Sequence, residues 1–153
     1  MKKKSSKLCF RGCSEHALDA KGRLNIPARF RNVLRAEYSD DLIVTSWEKC
    51  LKVYPVTRWE VEEEKLYMMK EKDPSFEPLF RYVVGGVNEC SLDKQGRILI
   101  PGNLRKRFNL VKDVALNGMR DHFELWDQLA WQQEFDRTQQ RFPDMMAAST
   151  ALG

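Results

Sequence analysis

Long apolar runs are missing from this sequence. The longest, such as LIV at 42–44 and YVVGGV at 82–87, fall far short of a membrane-spanning helix. No apolar stretch of signal-peptide type follows the basic start MKKKSSKLCF, so the chain is expected in the cytoplasm and away from the membrane. Histidines number two and cysteines four, at positions 9, 13, 50 and 90. Four cysteines in a cytosolic protein of this size are expected to be reduced. Cys9, Cys13 and His16 lie close together, but no second ligand pair follows at zinc spacing. Alternation instead points Cys9 and Cys13 to one face of a strand, as packing residues. His16 and His122 are isolated and read as strand residues. There is no glycine-rich phosphate loop and no Ser/His/Asp set. Catalysis, a metal, a cofactor and a small-molecule substrate are therefore not expected.

What is present begins with charge. Residues 1–35 hold ten Lys or Arg against two acids, and residues 36–80 hold six against eleven. Residues 81–112 hold seven against two, and 113–153 three against seven. A net charge of +4 hides this plus, minus, plus, minus order. Segregation of that kind favours a polyanionic partner over a generic solvated surface.

The two basic blocks share one text. DAKGRLNIPARFR at 19–31 returns as DKQGRILIPGNLR at 93–105. The alignment of 12–31 with 86–105 needs no gap and matches Gly12, Glu15, Leu18, Asp19, Gly22, Arg23, Ile26, Pro27 and Arg31. With a two-residue shortening, 41–59 lies over 113–131, so that Tyr54 meets Trp126 and Trp59 meets Trp131. Self-similarity at this period means two structural modules, too few for a solenoid.

Each module reads alike. Residues 8–18 alternate as a strand, DAKG turns, and RLNI forms a short strand with Leu24 and Ile26 on one face. Pro27 suits the first turn of the helix that follows. DLIVTS and CLKVYP then make a hairpin. The second module repeats this as GVNECSLD, RILI, PGNLRKRF, DVALNG and HFELWD. Residues 56–72 form a helix that buries Trp59, Leu66 and Met69 and exposes an acidic run, and 74–84 form a connecting helix. Residues 128–142 form a helix with Leu129, Trp131 and Phe135 on its packing side. PDMMAASTALG carries no pattern and is read as a disordered tail.

In each turn the aspartate accepts backbone N–H groups and the glycine supplies positive φ, so Asp19 with Gly22 and Asp93 with Gly96 support a hairpin tip. A turn does not need the arginine that follows. Two readings of Arg23 and Arg97 stay open: a planar fork offered to a guanine edge or phosphate, or an internal ion pair with the turn's aspartate. Lys2, Lys3, Lys4, Lys7 and Arg11 near the first copy, and Arg105, Lys106 and Arg107 near the second, suit phosphate contacts.

The stretch FRG…DAKGRLNIPARFR, the acidic tryptophan-containing helix, ECSLDKQGRILIP…LR and FELWD together resemble the MraZ family of bacterial transcriptional regulators, from about Phe10 to about Phe142. The doubled D-x-x-G-R turn is the specific part. The resemblance implies an α+β fold of two pseudo-symmetric AbrB/MraZ-like swapped-hairpin β-barrel units with flanking helices. The units are placed at 8–58 and 86–131, with linking helices at 59–85 and a C-terminal helix and tail at 132–153. It implies a ring of identical subunits, associated with the nucleoid, that binds short G-rich direct repeats in double-stranded promoter DNA. That promoter would drive the protein's own gene and the division and cell-wall cluster, and the usual effect is repression. DNA contact falls on Arg23, Lys21, Arg97 and Arg11, with Asp19, Gly22, Asp93 and Gly96 supporting the turns. Lys21 against Gln95 makes the first turn the stronger contact. The residues before FRG extend the family pattern. The alternative function is a protein-interaction or antitoxin-like assembly module of the AbrB fold.

Overall fold

The computed structural model describes residues 7–153, so Lys2, Lys3 and Lys4 lie outside the described residues. The chain order is β1 (Cys13–Ala17), β2 (Arg23–Asn25), α1 (Ala28–Glu37), β3 (Asp41–Ser46), β4 (Leu51–Pro55) and α2 (Val56–Lys72). A 3-10 turn at Pro74–Phe76 and α3 (Glu77–Val83) lead into the second copy. That copy comprises β5 (Asn88–Ser91), β6 (Arg97–Leu99), α4 (Gly102–Arg107), β7 (Asp113–Gly118), β8 (Phe123–Asp127) and α5 (Gln128–Ser149).

The strands of the two copies are interleaved. One antiparallel sheet runs β1-β7-β8-β4-β3-β5, and β2 pairs with β6 as a separate two-stranded ribbon. Thus β1 of the first copy pairs with β7 of the second, and β5 of the second with β3 of the first. The order reads the same from either end once each strand is exchanged for its counterpart. The ribbon keeps that symmetry, since Leu24 faces Ile98 at its centre and Arg23↔Leu99 mirrors Asn25↔Arg97. The fold is α+β with two pseudo-symmetric units sharing one core.

Alternation places that core. Leu24, Ile26, Ile98 and Ile100 from the ribbon region, Phe30 and Leu34 from α1, and Leu104 from α4 all meet Leu51, Val53, Phe123 and Leu125 of the central strands. Phe10 joins them although it stands outside a strand, held by reciprocal backbone hydrogen bonds with Arg120 at 2.9 and 2.8 Å. The first strand is therefore shorter than the expected 8–18. Gly12 at φ 91° interrupts the ladder, and β1 starts at Cys13. Cys9 and Cys13 accordingly share no strand face, and Cys13 is exposed. Pro27 and Pro101 sit at the N-caps of α1 and α4, one position before the first helical turn.

The helices depart further from expectation. Trp59 is buried against Tyr54, but Met69 is 38% exposed. Two acids of the run are engaged, with Glu62 pairing Arg58 and Glu63 accepting the Trp59 Nε1–H. Leu129 is 67% and Phe135 48% exposed; Trp131 packs against Trp126, and Phe135 only covers the outer side of Trp131, with ring centroids 6.1 Å apart. The tail is not disordered: α5 continues through Pro143 to Ser149, and a 3-10 turn follows. Proline removes one helical hydrogen bond, which an exposed helix can replace with water, and the Met and Ala residues beyond it favour helix. His16 lies in β1, whereas His122 occupies the turn before β8, buried with its ring stacked on Tyr54. No described helix is long and apolar enough to cross a membrane.

Candidate nucleic-acid interface

The Asp19 carboxylate organises the first turn. Its Oδ1 accepts the Lys21 and Arg23 amides at 3.0 and 2.8 Å, and Oδ2 accepts Arg23 Nε–H at 2.6 Å. The Gly22 amide donates to the Asp19 carbonyl at 2.9 Å with φ at 84°. The second turn repeats this. Asp93 Oδ1 accepts the Gln95 and Arg97 amides, both at 2.9 Å, and Oδ2 accepts Arg97 Nε–H at 2.9 Å. Gly96 stands at φ 76°.

Of the two sequence readings of the arginines, the internal ion pair is present in both turns. Each arginine pairs with its aspartate, but through Nε alone. Among the described residues neither terminal nitrogen of Arg23 or Arg97 has a hydrogen-bond partner. The side chains remain 32% and 24% exposed. Clamping Nε fixes the plane of the guanidinium and leaves its outer edge available for a bidentate contact.

The hydrogen bonds that build the turns also tune them. Both aspartates are held below the usual carboxylate range, chiefly by the backbone N–H of the arginine four residues on and secondarily by its side chain. A depressed folded value means that the turn's contribution to stability is present above the unfolded carboxylate pKa and lost as pH falls through the folded one. We expect the Lys21 and Arg23 amide NMR signals to titrate with a midpoint below 3.8. A midpoint at or above that value would contradict the clamp.

The sequence suggested two separate fingers, but the structure brings both arginines onto one surface. Side chains alternate across a strand. Leu24 and Ile98 point into the core, so Arg23, Asn25, Arg97 and Leu99 share the outer face of the ribbon. Arg23 lies opposite Leu99 and Arg97 opposite Asn25, which makes the arginines diagonal neighbours, about 7–8 Å apart by ladder geometry. Lys21 is exposed at one end of the ribbon, and Lys94 at the other. Arg31 and Arg35 line a cleft of about 430 Å³ beside the second turn. Arg11 is not part of this cluster. It is exposed beyond the end of β1 opposite to the turn.

Two further residues support the site, and the repeat had signalled them as its final matched pair. Arg105 of the second copy lies under Gly22 of the first, where a Cβ would sit 2.4 Å from Nε. Arg31 lies likewise under Gly96, 2.7 Å from where a Cβ would be. Arg105 Nε–H donates to the Ile100 carbonyl and Arg31 Nη1–H to the Ile26 carbonyl, each at 3.0 Å. Each tip is therefore braced by the other unit. Arg105, expected only as a phosphate contact, is half-buried in this role, while Lys106 is exposed. Arg107 donates to Ser46 Oγ at 3.0 Å. Near the first turn, His16 Nε2 is hydrogen-bonded with Ser14 Oγ at 2.7 Å. Among the described residues no three or more His, Cys, Asp or Glu are gathered to hold a metal.

A family profile described as "MraZ protein, putative antitoxin-like" matches residues 9–77 and again 83–153. The chain is 45% identical over 122 residues to a protein of Syntrophobacter fumaroxidans, covering 80% of this chain and 81% of that one. It is 41% identical over 133 residues to a protein of Shewanella violacea, covering 86% and 88% respectively. A protein of Shewanella frigidimarina is 43% identical over 129 residues, covering 83% and 85%. All three are named Transcriptional regulator MraZ.

Proposed function

The chain belongs to the MraZ family, and on that premise we propose that it is a transcriptional regulator that binds double-stranded promoter DNA through the β2–β6 ribbon. The single observation that carries this reading is the pair of clamped arginines on one outer face. A two-stranded ribbon is one of the few elements that fit the major groove of B-DNA. Arg23 and Arg97 would each present the open edge of the guanidinium to guanine O6 and N7, the geometry that the fork matches best. Lys21, Lys94, Arg35 and Lys106 would neutralise phosphates on either side. Arg11 would reach only a separate stretch of the backbone. In this proposal no residue performs catalysis.

The finer reading is a ring whose subunits present this ribbon at a fixed spacing to short G-rich direct repeats upstream of the protein's own gene, usually repressing it. Two unlike apolar surfaces support the ring. Val61, Met68 and Met69 line a groove of about 750 Å³ along α2, and Phe135, Phe142 and Pro143 line another of about 480 Å³ on α5. Contact between two different faces of identical subunits generates a closed ring when the rotation closes. Linked sites then act through local concentration, so weak single contacts suffice.

The test is a fluorescence titration of the purified protein alone with duplex DNA from upstream of its gene, with mass measured in solution alongside. We expect affinity to fall on the order of a thousandfold between about 50 and 200 mM salt if roughly six phosphates are engaged. A second reading, an antitoxin-like protein-interaction module, draws on the profile's description and the same apolar helices. It is favoured if the pure oligomer binds no DNA without another protein.

A further inference from the structure

The ribbon's symmetry is broken in its middle. Arg23 matches Arg97 and Leu24 is exchanged only for Ile98, but Asn25 corresponds to Leu99. Both side chains lie on the outer face between the arginines, Leu99 opposite Arg23 and Asn25 opposite Arg97. Leu99 is 54% exposed, an apolar group among charges. Asn25 is exposed, and among the described residues its side chain makes no hydrogen bond. Neither residue supports the core, which the opposite face of the ribbon supplies through Leu24 and Ile98.

A ribbon with true two-fold symmetry would accept a DNA duplex equally in either direction. We propose that Asn25 and Leu99 are specificity-determining residues that set the direction in which the ribbon reads DNA. The inference rests on the DNA-binding reading above. The two ends offer different chemistry next to the same guanidinium. Asn25 can hold an adenine through N6 and N7, whereas Leu99 can only cover an apolar group, which in the major groove is the thymine methyl. The ribbon would therefore read a non-palindromic sequence, with a thymine beside the guanine of Arg23 and an adenine beside the guanine of Arg97.

The experiment starts from the duplex that the wild-type protein selects out of a random pool. Each thymine in it is replaced singly by deoxyuridine, which removes only the methyl group. For wild type, one replacement should weaken binding about fourfold, the effect of one buried carbon. For Leu99→Asn that sensitivity should vanish, and selection should yield a palindromic site. For Asn25→Leu a second methyl-sensitive position should appear instead. Circular dichroism confirms that each variant is folded, which is expected because both positions are exposed. If Leu99→Asn selects the wild-type site with unchanged methyl sensitivity, the proposal is overturned while DNA binding stands. If the wild-type protein selects no duplex, both fall together.

Discussion

On the proposed DNA-binding reading, Arg23→Ala is expected to lower affinity for the DNA site by about 1–3 kcal/mol, roughly five- to 150-fold, with the mass in solution unchanged. The substitution removes one guanidinium edge and leaves the tip intact, since Asp19 still accepts the Lys21 amide and the residue-23 amide through Oδ1. The double variant, with Arg97→Ala added, should lose specific binding altogether and keep only the salt-sensitive, sequence-independent component. Gel-shift titration against the wild-type site and a scrambled duplex separates the two components. Wild-type affinity in the double variant, with oligomer intact, would remove the ribbon from the interface.

Phe10→Ala has the largest expected effect on the fold, about 3–5 kcal/mol of stability. That is a sizeable part of the roughly 5–15 kcal/mol by which most domains are stable. Phe10 is fully buried between rings from both copies. Its centroid lies 5.3 Å from Phe30 in an edge-on arrangement and 5.4 Å from Phe123, with Tyr38 stacked beyond at 6.3 Å. Such edge and offset contacts add to area burial, and the enclosing rings cannot collapse onto an alanine without parting from each other. Urea unfolding followed by tryptophan fluorescence reads the change in midpoint. A shift worth less than about 1 kcal/mol would mean that Phe10 does not tie the copies together.

The sequence carried local structure well because local chemistry dictated it. Asp, Gly and Arg at fixed offsets define the turn whatever surrounds it, and helix 56–72 forms over the expected span although Trp59 is its one fully buried side chain. Partner choice was less legible. Alternation in β1 is satisfied equally by a neighbour from either copy, because the copies carry the same pattern, and only closure around one core selects β7. For the same reason the sequence showed two tips but not that Arg23 and Arg97 share a face. The bracing of Gly22 by Arg105 was marked in the repeat yet had no local meaning, since it acts across units. The segment PDMMAASTALG shows no apolar period because its helix is exposed all round and has no face to bury. Leu129 and Phe135 kept helical spacing but face outward, where periodicity alone cannot tell a core from a surface.

The interleaving has a consequence for biosynthesis. When α2 leaves the ribosome, β1 has no partner, because β7 begins only at Asp113. At about 5–20 residues per second the wait lasts roughly 2–8 seconds. Throughout it the nascent half displays an unpaired β1 and the open edge of β3 that β5 will later cover. Pairing over such a separation is slow in any case. The newborn polypeptide is thus most vulnerable to sticking to its polysome neighbours midway through translation, when a chaperone holding those edges would matter most.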